Sequence, residues 1–311
     1  MSTDQGQIRV EVRDGVGNVV LDRPSHRNAL SRHMCRSLVE ALAVLDADPD
    51  VGVVAISGTG GDFCAGAGLD TFDEVLFDGA PPLADARPTA SIPEPPEAEK
   101  APDAATVGVP DTGVDRLSEA DAAIRAVRKP TVSLVEGICM GGGWQIAAAA
   151  DLLIASTTAR IAITPSKLGI IYPRSGLERL VDRVGLDRAK YLLVTAAEVT
   201  PRQAAEWGLI TLLIPAEDFA EQSATTVRTI QSRSLFSTVT QKRLLDSYAH
   251  RVATPCGESK EDEVDAYEAD WNRSWAEFRS GEDLAEGRRA FAAKEQPVFT
   301  WRLGRGQPAR M

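Results

Sequence analysis

The chain has 311 residues, of which 43% are hydrophobic and 25% are charged, and its formal net charge is −11. This composition is ordinary for a globular protein with one large core, and the acidic balance argues against a polyanion-binding surface, so we expect no nucleic-acid partner. No run of about 18 apolar residues is present and the first residues lack the pattern of a secretory signal, so we expect neither a membrane span nor secretion.

Four cysteines are widely spaced along the chain and match no zinc-binding pattern. They are Cys35, Cys64, Cys139 and Cys256. Cysteines of this kind are typical of buried thiols in a reducing compartment. We therefore expect a cytoplasmic protein without a metal site.

The first predicted elements are a hairpin, a helix and a strand. Residues 8–13 and 16–21 are alternating or apolar runs around an Asp-Gly pair, which is typical of a β-hairpin. Apolar residues recur at helical spacing over residues 30–46, and Val53–Ile56 has the composition of a buried strand. A Gly-rich turn ends this strand.

A segment rich in proline and acidic residues follows at residues 78–115. It contains eight prolines, eight acidic residues, two basic residues and no aromatic residue. Such a segment buries too little apolar surface to offset the entropy that is lost on ordering. We expect a mobile insertion that decorates the fold, and because it follows a Gly-rich turn, a lid is the alternative.

Two more strands with a helix between them are predicted after the insertion. The strands are Thr131–Val135 and Leu152–Ala155, and the helix covers about residues 142–150. Strands that alternate with helices imply an α/β fold with a core of parallel strands.

The remainder of the chain is predicted to be mainly helical. Residues 200–208 form a short helix that starts with Thr-Pro and carries a Gln that completes a capping box. From Phe219 onward the pattern is helical and strongly charged. We expect a core over residues 1–215 and a C-terminal helical lobe over residues 216–311.

Two Gly-rich segments carry the strongest signal of a functional site. They read G-T-G-G-D-F-C-A-G-A-G-L-D (58–70) and V-E-G-I-C-M-G-G-G-W-Q-I (135–146), and each follows a strand. Neither has the spacing of a dinucleotide-binding or P-loop motif. The glycines indicate either close packing of strand against helix or a site made of main-chain N–H groups.

Taken together, the two segments resemble the crotonase superfamily, also called the enoyl-CoA hydratase/isomerase family. The likeness extends over D-R-P-S-H-R-N-A-L (22–30), A-D-L-L-I-A-S (150–156), K-L-G-I (167–170) and S-G-E-D-L-A-E-G-R-R-A-F-A-A-K (280–294). The resemblance implies a crotonase-like α/β spiral of ββα units with a C-terminal helical lobe. It also implies assembly into a homotrimer or a dimer of trimers.

The resemblance further implies that two backbone N–H groups form an oxyanion hole for the thioester carbonyl of an acyl-CoA. These donors correspond to Ala67 and Gly142. The implied coenzyme A surface comprises Arg23, His26, Ala65, Leu69, Phe291 and Lys294. Coenzyme A belongs to the substrate, so no separate cofactor is expected, and an acyl carrier protein is an alternative thioester donor.

The side chains depart from the hydratase pattern of this family. Hydratases that resemble this chain use two glutamates to hold and activate one water, and the matching positions here are Gln145 and Pro165. Neither side chain can act as a base. Some relatives place an aspartate at the position of Pro173, and this aspartate is also missing.

The segment I-T-P-S-K-L-G-I-I-Y (163–172) resembles the methylmalonyl-CoA decarboxylase branch, in which Tyr172 matches a tyrosine that faces the acyl group. That branch differs in having a histidine at the position of Ala67 and a glutamate at Gln145. Decarboxylation needs no general base, because the leaving carboxylate supplies the electrons, but it needs an oxyanion hole. We therefore expect a decarboxylase or C–C lyase in which the Tyr172 hydroxyl or the Gln145 amide orients the carboxylate.

Several other side chains are candidates for contact with the acyl group. Trp144 is expected to narrow the acyl pocket, and Thr164 and Arg174 are expected to anchor a polar group, although packing or solvent exposure is the alternative for each.

A hydratase or isomerase that uses a carboxylate within residues 70–78, such as Asp70, Asp73 or Glu74, is the second hypothesis. A catalytically silent acyl-CoA-binding protein is the third.

Overall fold

The computed structural model describes residues 4–80, 113–253 and 260–303. Most of the predicted insertion, residues 81–112, lies outside these ranges, and so do its predicted mobility and the alternative of a lid. The two ends of the insertion are described. They pair as an antiparallel bridge between Asp78 and Val114, which exchange backbone hydrogen bonds of 3.1 and 2.8 Å.

The described strands form two sheets. They are β1 (Gln7–Arg13), β2 (Val16–Asp22), β3 (Val53–Gly58), β4 (Thr131–Val135), β5 (Ile138–Met140), β6 (Leu152–Ser156), β7 (Arg160–Ala162), β8 (Glu198–Val199) and β9 (Leu212–Ile214). The larger sheet has the order β1-β2-β3-β4-β6-β9 and the smaller has the order β5-β7-β8. In the larger sheet only the β1–β2 pair is antiparallel, so the predicted hairpin and the predicted parallel α/β core are confirmed.

The described α-helices pack on both faces of the larger sheet and continue into the C-terminal part of the chain. They are α1 (Arg32–Ala47), α2 (Phe72–Leu76), α3 (Arg116–Ala126), α4 (Gly142–Ala149), α5 (Arg174–Val184), α6 (Leu186–Thr195), α7 (Pro201–Trp207), α8 (Phe219–Gln231), α9 (Leu235–Ala253), α10 (Lys260–Ser280) and α11 (Glu282–Ala293). None of these helices is both long and apolar enough to cross a membrane.

Local sequence signals explain where two of the helices begin. The Ser31 side chain accepts a hydrogen bond from the Met34 N–H at 3.2 Å, which caps α1. The predicted start at residue 30 was therefore early, because Leu30 instead bridges to Ala67. The capping box at the start of α7 is confirmed, with Thr200 and Gln203 bonded reciprocally.

Strand β3 shows why the apolar run Val53–Ile56 is continuous. Val54 and Ile56 belong to the main core beneath α1, α3 and α4, whereas Val53 and Ala55 pack with α8 on the opposite face. A strand that is covered on both faces has apolar residues on both, so apolar and polar residues do not alternate along its sequence. Because α8 covers the second face, the chain beyond residue 215 contributes directly to the core. The predicted division into a core and a lobe stays a prediction.

Helices α9 and α10 present a row of aromatic side chains. The row comprises Tyr248, Tyr267, Trp271, Trp275 and Phe278, with successive ring centroids 5.2 to 6.4 Å apart. Trp275 is 59% exposed. Contiguous exposed apolar surface of this kind is typical of protein interfaces.

Lys129 is buried at the C-terminal end of α1, where its ammonium group donates to the Leu45 carbonyl at 2.8 Å and to the Asp48 carbonyl. We expect Lys129→Met to lower the free energy of unfolding by about 1–3 kcal/mol, because the two carbonyls lose their donor inside the protein. Urea denaturation measures the change. Lys190→Met, at an exposed position of α6, is the matched control. Equal effects of the two substitutions would contradict this role for Lys129.

Candidate active site

The two Gly-rich segments lie side by side in the structure. Cys64 and Cys139 form a parallel bridge, in which the Cys64 N–H donates to the Ile138 carbonyl at 2.8 Å and the Met140 N–H donates to the Cys64 carbonyl at 3.1 Å. The turn after β3 is therefore bonded directly to β5, which leads into α4. The prediction that these segments form one site is consistent with this contact.

Glycine is required where the segments approach most closely. A Cβ atom on Gly66, whose φ is +103°, would lie 2.9 Å from the Met140 carbonyl oxygen and 3.2 Å from the Gly142 nitrogen. A Cβ atom on Gly143 would lie 2.1 Å from the Cys64 carbonyl oxygen. Close packing thus explains these two glycines. It also brings the backbone of Ala67 next to the start of α4.

The N–H groups of Ala67 and Gly142 are the donors that this packing leaves available. The Leu30 N–H donates to the Gly66 carbonyl at 2.7 Å and the Gly68 N–H donates to the Leu30 carbonyl at 2.8 Å, so the Ala67 N–H points away from Leu30. Gly142 is the first residue of α4, and its N–H has no acceptor within the helix. Within residues 4–80, 113–253 and 260–303 neither N–H has an acceptor.

The two donors are also close together. A Cβ atom built on Gly142 would lie 3.4 Å from the Ala67 nitrogen. Paired N–H groups that are fixed before a ligand arrives are suited to an oxygen that gains negative charge during a reaction. The arrangement has the chemistry of an oxyanion hole.

Two basic side chains donate to carbonyls of α4, one near the middle of the helix and one in its last turn. Arg179 donates to the Gln145 carbonyl at 3.2 Å and Arg183 donates to the Ala148 carbonyl at 3.1 Å. Cations at a helix C-terminus complement the helix dipole, whose positive end lies at Gly142. Arg179 is itself paired with the fully buried Asp121 of α3 through two hydrogen bonds.

Tyr172 is buried, and its hydroxyl donates to the Gly141 carbonyl at 2.9 Å. Burial raises the pKa of this phenol well above its ordinary value, so the group stays protonated. The predicted contact of this hydroxyl with an acyl group stays a prediction. In the structure the hydroxyl is satisfied by a backbone carbonyl.

Gln145 is fully buried one turn after Gly142, and its Nε2 donates to the Ser175 hydroxyl at 3.2 Å. Its Oε1 has no partner among the described residues. Pro165 is also buried. Neither of the two positions that match the hydratase glutamates therefore holds a titratable group. Ser175 was not predicted, because no local motif connects it with a residue thirty positions earlier.

The three other acyl-site candidates lie in different surroundings. The Thr164 hydroxyl oxygen lies 3.1 Å from a Cβ atom built on Gly141, and no described residue is bonded to it. Trp144 is fully buried in the main core. The Arg174 side chain is 90% exposed and pairs with Glu178 at 2.7 Å. Of the three, Thr164 is the polar group beside the candidate oxyanion hole.

The predicted coenzyme A contacts fall into two groups. Arg23 is buried and pairs with Asp70 at 2.6 Å, and this guanidinium lowers the pKa of Asp70, while His26 lies 3.9 Å from the same carboxylate. This contact ties the segment before α1 to the turn after β3. Asp70, which is also a candidate base in the second hypothesis, is therefore held as a carboxylate by Arg23.

Ala65 and Leu69 belong to the same turn, where the Ala65 N–H donates to the Arg27 carbonyl at 3.0 Å and Leu69 is exposed. Phe291 and Lys294 lie at the end of α11, where Phe291 is 87% exposed. The proposed coenzyme A surface thus consists of one ordered turn and one exposed helix end.

The described residues contain neither an exposed free cysteine nor a cluster of metal-binding side chains. Cys35, Cys64 and Cys139 are free and buried, and burial raises the pKa of the Cys64 thiol to about 12. No group of three or more metal-binding side chains occurs in residues 4–80, 113–253 and 260–303.

Comparison with known proteins gives one consistent result. A family profile described as enoyl-CoA hydratase/isomerase matches residues 16–296. A probable enoyl-CoA hydratase of Mycobacterium tuberculosis is 30% identical over 295 residues, which cover 95% of this chain and 98% of that protein. The hydroxycinnamoyl-CoA hydratase-lyase of Pseudomonas fluorescens is 28% identical over 247 residues, or 75% of this chain and 77% of that enzyme.

Solved structures agree with the sequence comparisons. The crystal structure of a member of an enoyl-CoA hydratase/isomerase family superposes with a TM-score of 0.77 at 39% identity, over 96% of this chain and 98% of that one. The predicted crotonase-like α/β fold is thereby confirmed.

Proposed function

This chain belongs to the enoyl-CoA hydratase/isomerase family, and on that premise we propose that it holds an acyl-CoA thioester with the carbonyl oxygen between the N–H groups of Ala67 and Gly142. The observation that carries the proposal is the pair of adjacent N–H groups without an acceptor in the described chain. Such donors stabilise the enolate oxygen that forms when an electron pair moves onto a thioester.

We propose decarboxylation or C–C cleavage as the reaction, because the two positions that match the hydratase glutamates hold no base in this chain. Gln145 and Pro165 cannot remove a proton, and Asp70 is engaged by Arg23. In decarboxylation the bond between the α carbon and the carboxylate breaks, its electron pair forms the enolate, and CO₂ leaves. The α carbon then takes a proton from water. The substrate itself thus supplies the electrons.

Thr164 is the polar side chain that we propose to orient the leaving carboxylate. Its hydroxyl lies beside Gly141 and has no described partner, so its hydrogen is available to a carboxylate oxygen. Arg174, although its side chain is exposed and paired with Glu178, is a second candidate anchor. The name of the Pseudomonas fluorescens relative, a hydratase-lyase, shows that a related protein cleaves as well as hydrates.

Incubation of the purified protein with methylmalonyl-CoA, malonyl-CoA and crotonyl-CoA tests the reaction, with product mass as the readout. We expect loss of CO₂ from at least one of the first two thioesters and no rapid addition of water to crotonyl-CoA, because no carboxylate stands at either hydratase position. Rapid hydration that is lost in Asp73→Asn or Glu74→Gln would favour the second hypothesis. Tight binding without turnover of any acyl-CoA would favour a silent binder.

We further propose that the chain forms a homotrimer or a dimer of trimers. The exposed aromatic row on α9 and α10 supports an interface in this part of the chain. An acyl carrier protein as thioester donor and a cytoplasmic location stay predictions.

A further inference from the structure

We infer that Tyr172 is a positioning residue that fixes the peptide group from which the Gly142 N–H of the oxyanion hole projects. The Gly141 carbonyl and the Gly142 N–H belong to one planar peptide group. The Tyr172 hydroxyl donates to that carbonyl at 2.9 Å. This inference rests on the proposed function in one respect, namely that the Gly142 N–H binds a thioester oxygen.

The peptide needs such a constraint because glycines flank it. Gly141 has φ 52° and ψ −116°, a conformation that residues with side chains rarely adopt, and two further glycines follow it. The Gly141 N–H is held by the Ala162 carbonyl at 2.9 Å, but this bond fixes only the preceding peptide group. The orientation of the next peptide depends on what its carbonyl accepts.

The Gly141 carbonyl accepts two hydrogen bonds. The Gln145 N–H donates at 3.2 Å as the first bond of helix α4, and the Tyr172 hydroxyl occupies the remaining acceptor position. Two donors at the oxygen polarise the peptide and strengthen its N–H as a donor. The hydroxyl therefore affects both the direction and the strength of the Gly142 N–H.

The packing around Tyr172 holds its ring in this position. Gly176 of α5 lies against it, because a Cβ atom there would be 2.7 Å from Tyr172 Cε1 and 3.1 Å from Gln145 Cδ. A larger residue at this position would push α5 away from α4. The glycine thus allows both side chains to contact the start of α5.

The same geometry removes Tyr172 from the role of proton donor. The phenol hydroxyl has one hydrogen to donate, and here the Gly141 carbonyl accepts it. Donation to a substrate would require this bond to break and would release the Gly142 peptide when the enolate needs it. The Thr164 hydroxyl is not committed in this way.

Tyr172→Phe tests the inference, because it removes the hydroxyl and retains the ring. We expect kcat to fall on the order of tenfold, less than for loss of a donor itself, with KM changed little, since an oriented donor matters most at the enolate stage. Tyr191→Phe, at a half-exposed position of α6, is the matched control and should leave both constants unchanged.

A chromophoric aryl-acryloyl-CoA thioester reports directly on the hole, because polarisation of its carbonyl shifts its absorption to longer wavelength. We expect the wild-type shift to become smaller in Tyr172→Phe at saturating ligand. A fall in kcat with an undiminished shift would overturn the inference, because Tyr172 would then act on the acyl group itself. An unchanged kcat would overturn it as well.

A third measurement needs no thioester and separates this inference from the proposed function. In glycine-labelled protein, Tyr172→Phe is expected to move the Gly142 amide proton to higher field and to leave the resonance of Gly208, which caps the end of α7, unchanged. If the wild type did not bind the chromophoric thioester, the proposed function would fail, whereas an unmoved Gly142 resonance would show that Tyr172 does not control this peptide.

Discussion

Gly142→Pro is expected to reduce turnover of the acyl-CoA substrate by at least roughly 100-fold, because it deletes one of the two proposed oxyanion donors. The proline ring also places a carbon where the N–H hydrogen stood. The fold should tolerate the change, since Gly142 is the first residue of α4 and proline is favoured at the first helical position. A loss of activity would therefore indicate the loss of the Gly142 N–H and not the loss of the fold.

Gly142→Ala is the matched control for this experiment. It keeps the N–H. Its Cβ atom would lie 2.9 Å from the Leu117 Cδ2 atom, which belongs to a flexible side chain, and 3.4 Å from the Ala67 nitrogen, which is an ordinary van der Waals contact. We expect the alanine variant to retain most activity and the proline variant to bind an unreactive acyl-CoA thioester more weakly. Circular dichroism checks that both variants fold. Turnover of Gly142→Pro within a few-fold of the wild type would exclude Gly142 as a donor.

The close approach of the two Gly-rich segments could be predicted from the sequence because glycine patterns indicate where backbone must pack without side chains. The glycine at position 66 permits an approach that a Cβ atom would block, and a run of glycines before an alanine-rich segment indicates a helix start with free N–H groups. The assignment of Ala67 and Gly142 as oxyanion donors came from the family resemblance, and it stays a prediction. It required no knowledge of a side-chain contact.

The side-chain part was harder to predict because its contacts join distant segments. The Tyr172 hydroxyl meets a carbonyl 31 residues away, and Arg179 meets Asp121 across 58 residues. Nothing in the local pattern distinguishes a tyrosine that donates to backbone from one that faces a ligand. The resemblance therefore predicted that Tyr172 faces the acyl group, whereas its bond to the Gly141 carbonyl could not be predicted.

The fold, too, could be predicted only in part from the local sequence pattern. The longer elements were predicted with nearly correct bounds: α1, which was expected over residues 30–46, covers Arg32–Ala47, and β4 matches Thr131–Val135. The strands β5, β7 and β8 have three residues or fewer and were missed, because such short runs contain no measurable period. β5 is nevertheless the strand that aligns the two Gly-rich segments.

Asp121→Ala is expected to lower the free energy of unfolding by about 3–5 kcal/mol, because it leaves the Arg179 guanidinium largely buried without its partner. Urea denaturation measures the loss. Replacement of Glu178 is the matched control, because Glu178 pairs with Arg174 on the exposed surface of α5, the helix that carries Arg179. Its alanine variant should lose less than about 1 kcal/mol. Similar losses for the two variants would contradict the importance of burial.

The double variant Asp121→Leu with Arg179→Met separates the stabilising role of this pair from its effect on the site. Replacement of a buried ion pair by apolar residues of similar size often restores stability, so we expect the double variant to unfold near the wild-type midpoint. Turnover should not recover in parallel, because Arg179 also donates to the Gln145 carbonyl on α4. Loss of that cation weakens the complement to the helix dipole whose positive end is at Gly142. Full recovery of both stability and turnover would show that Arg179 supports the fold alone.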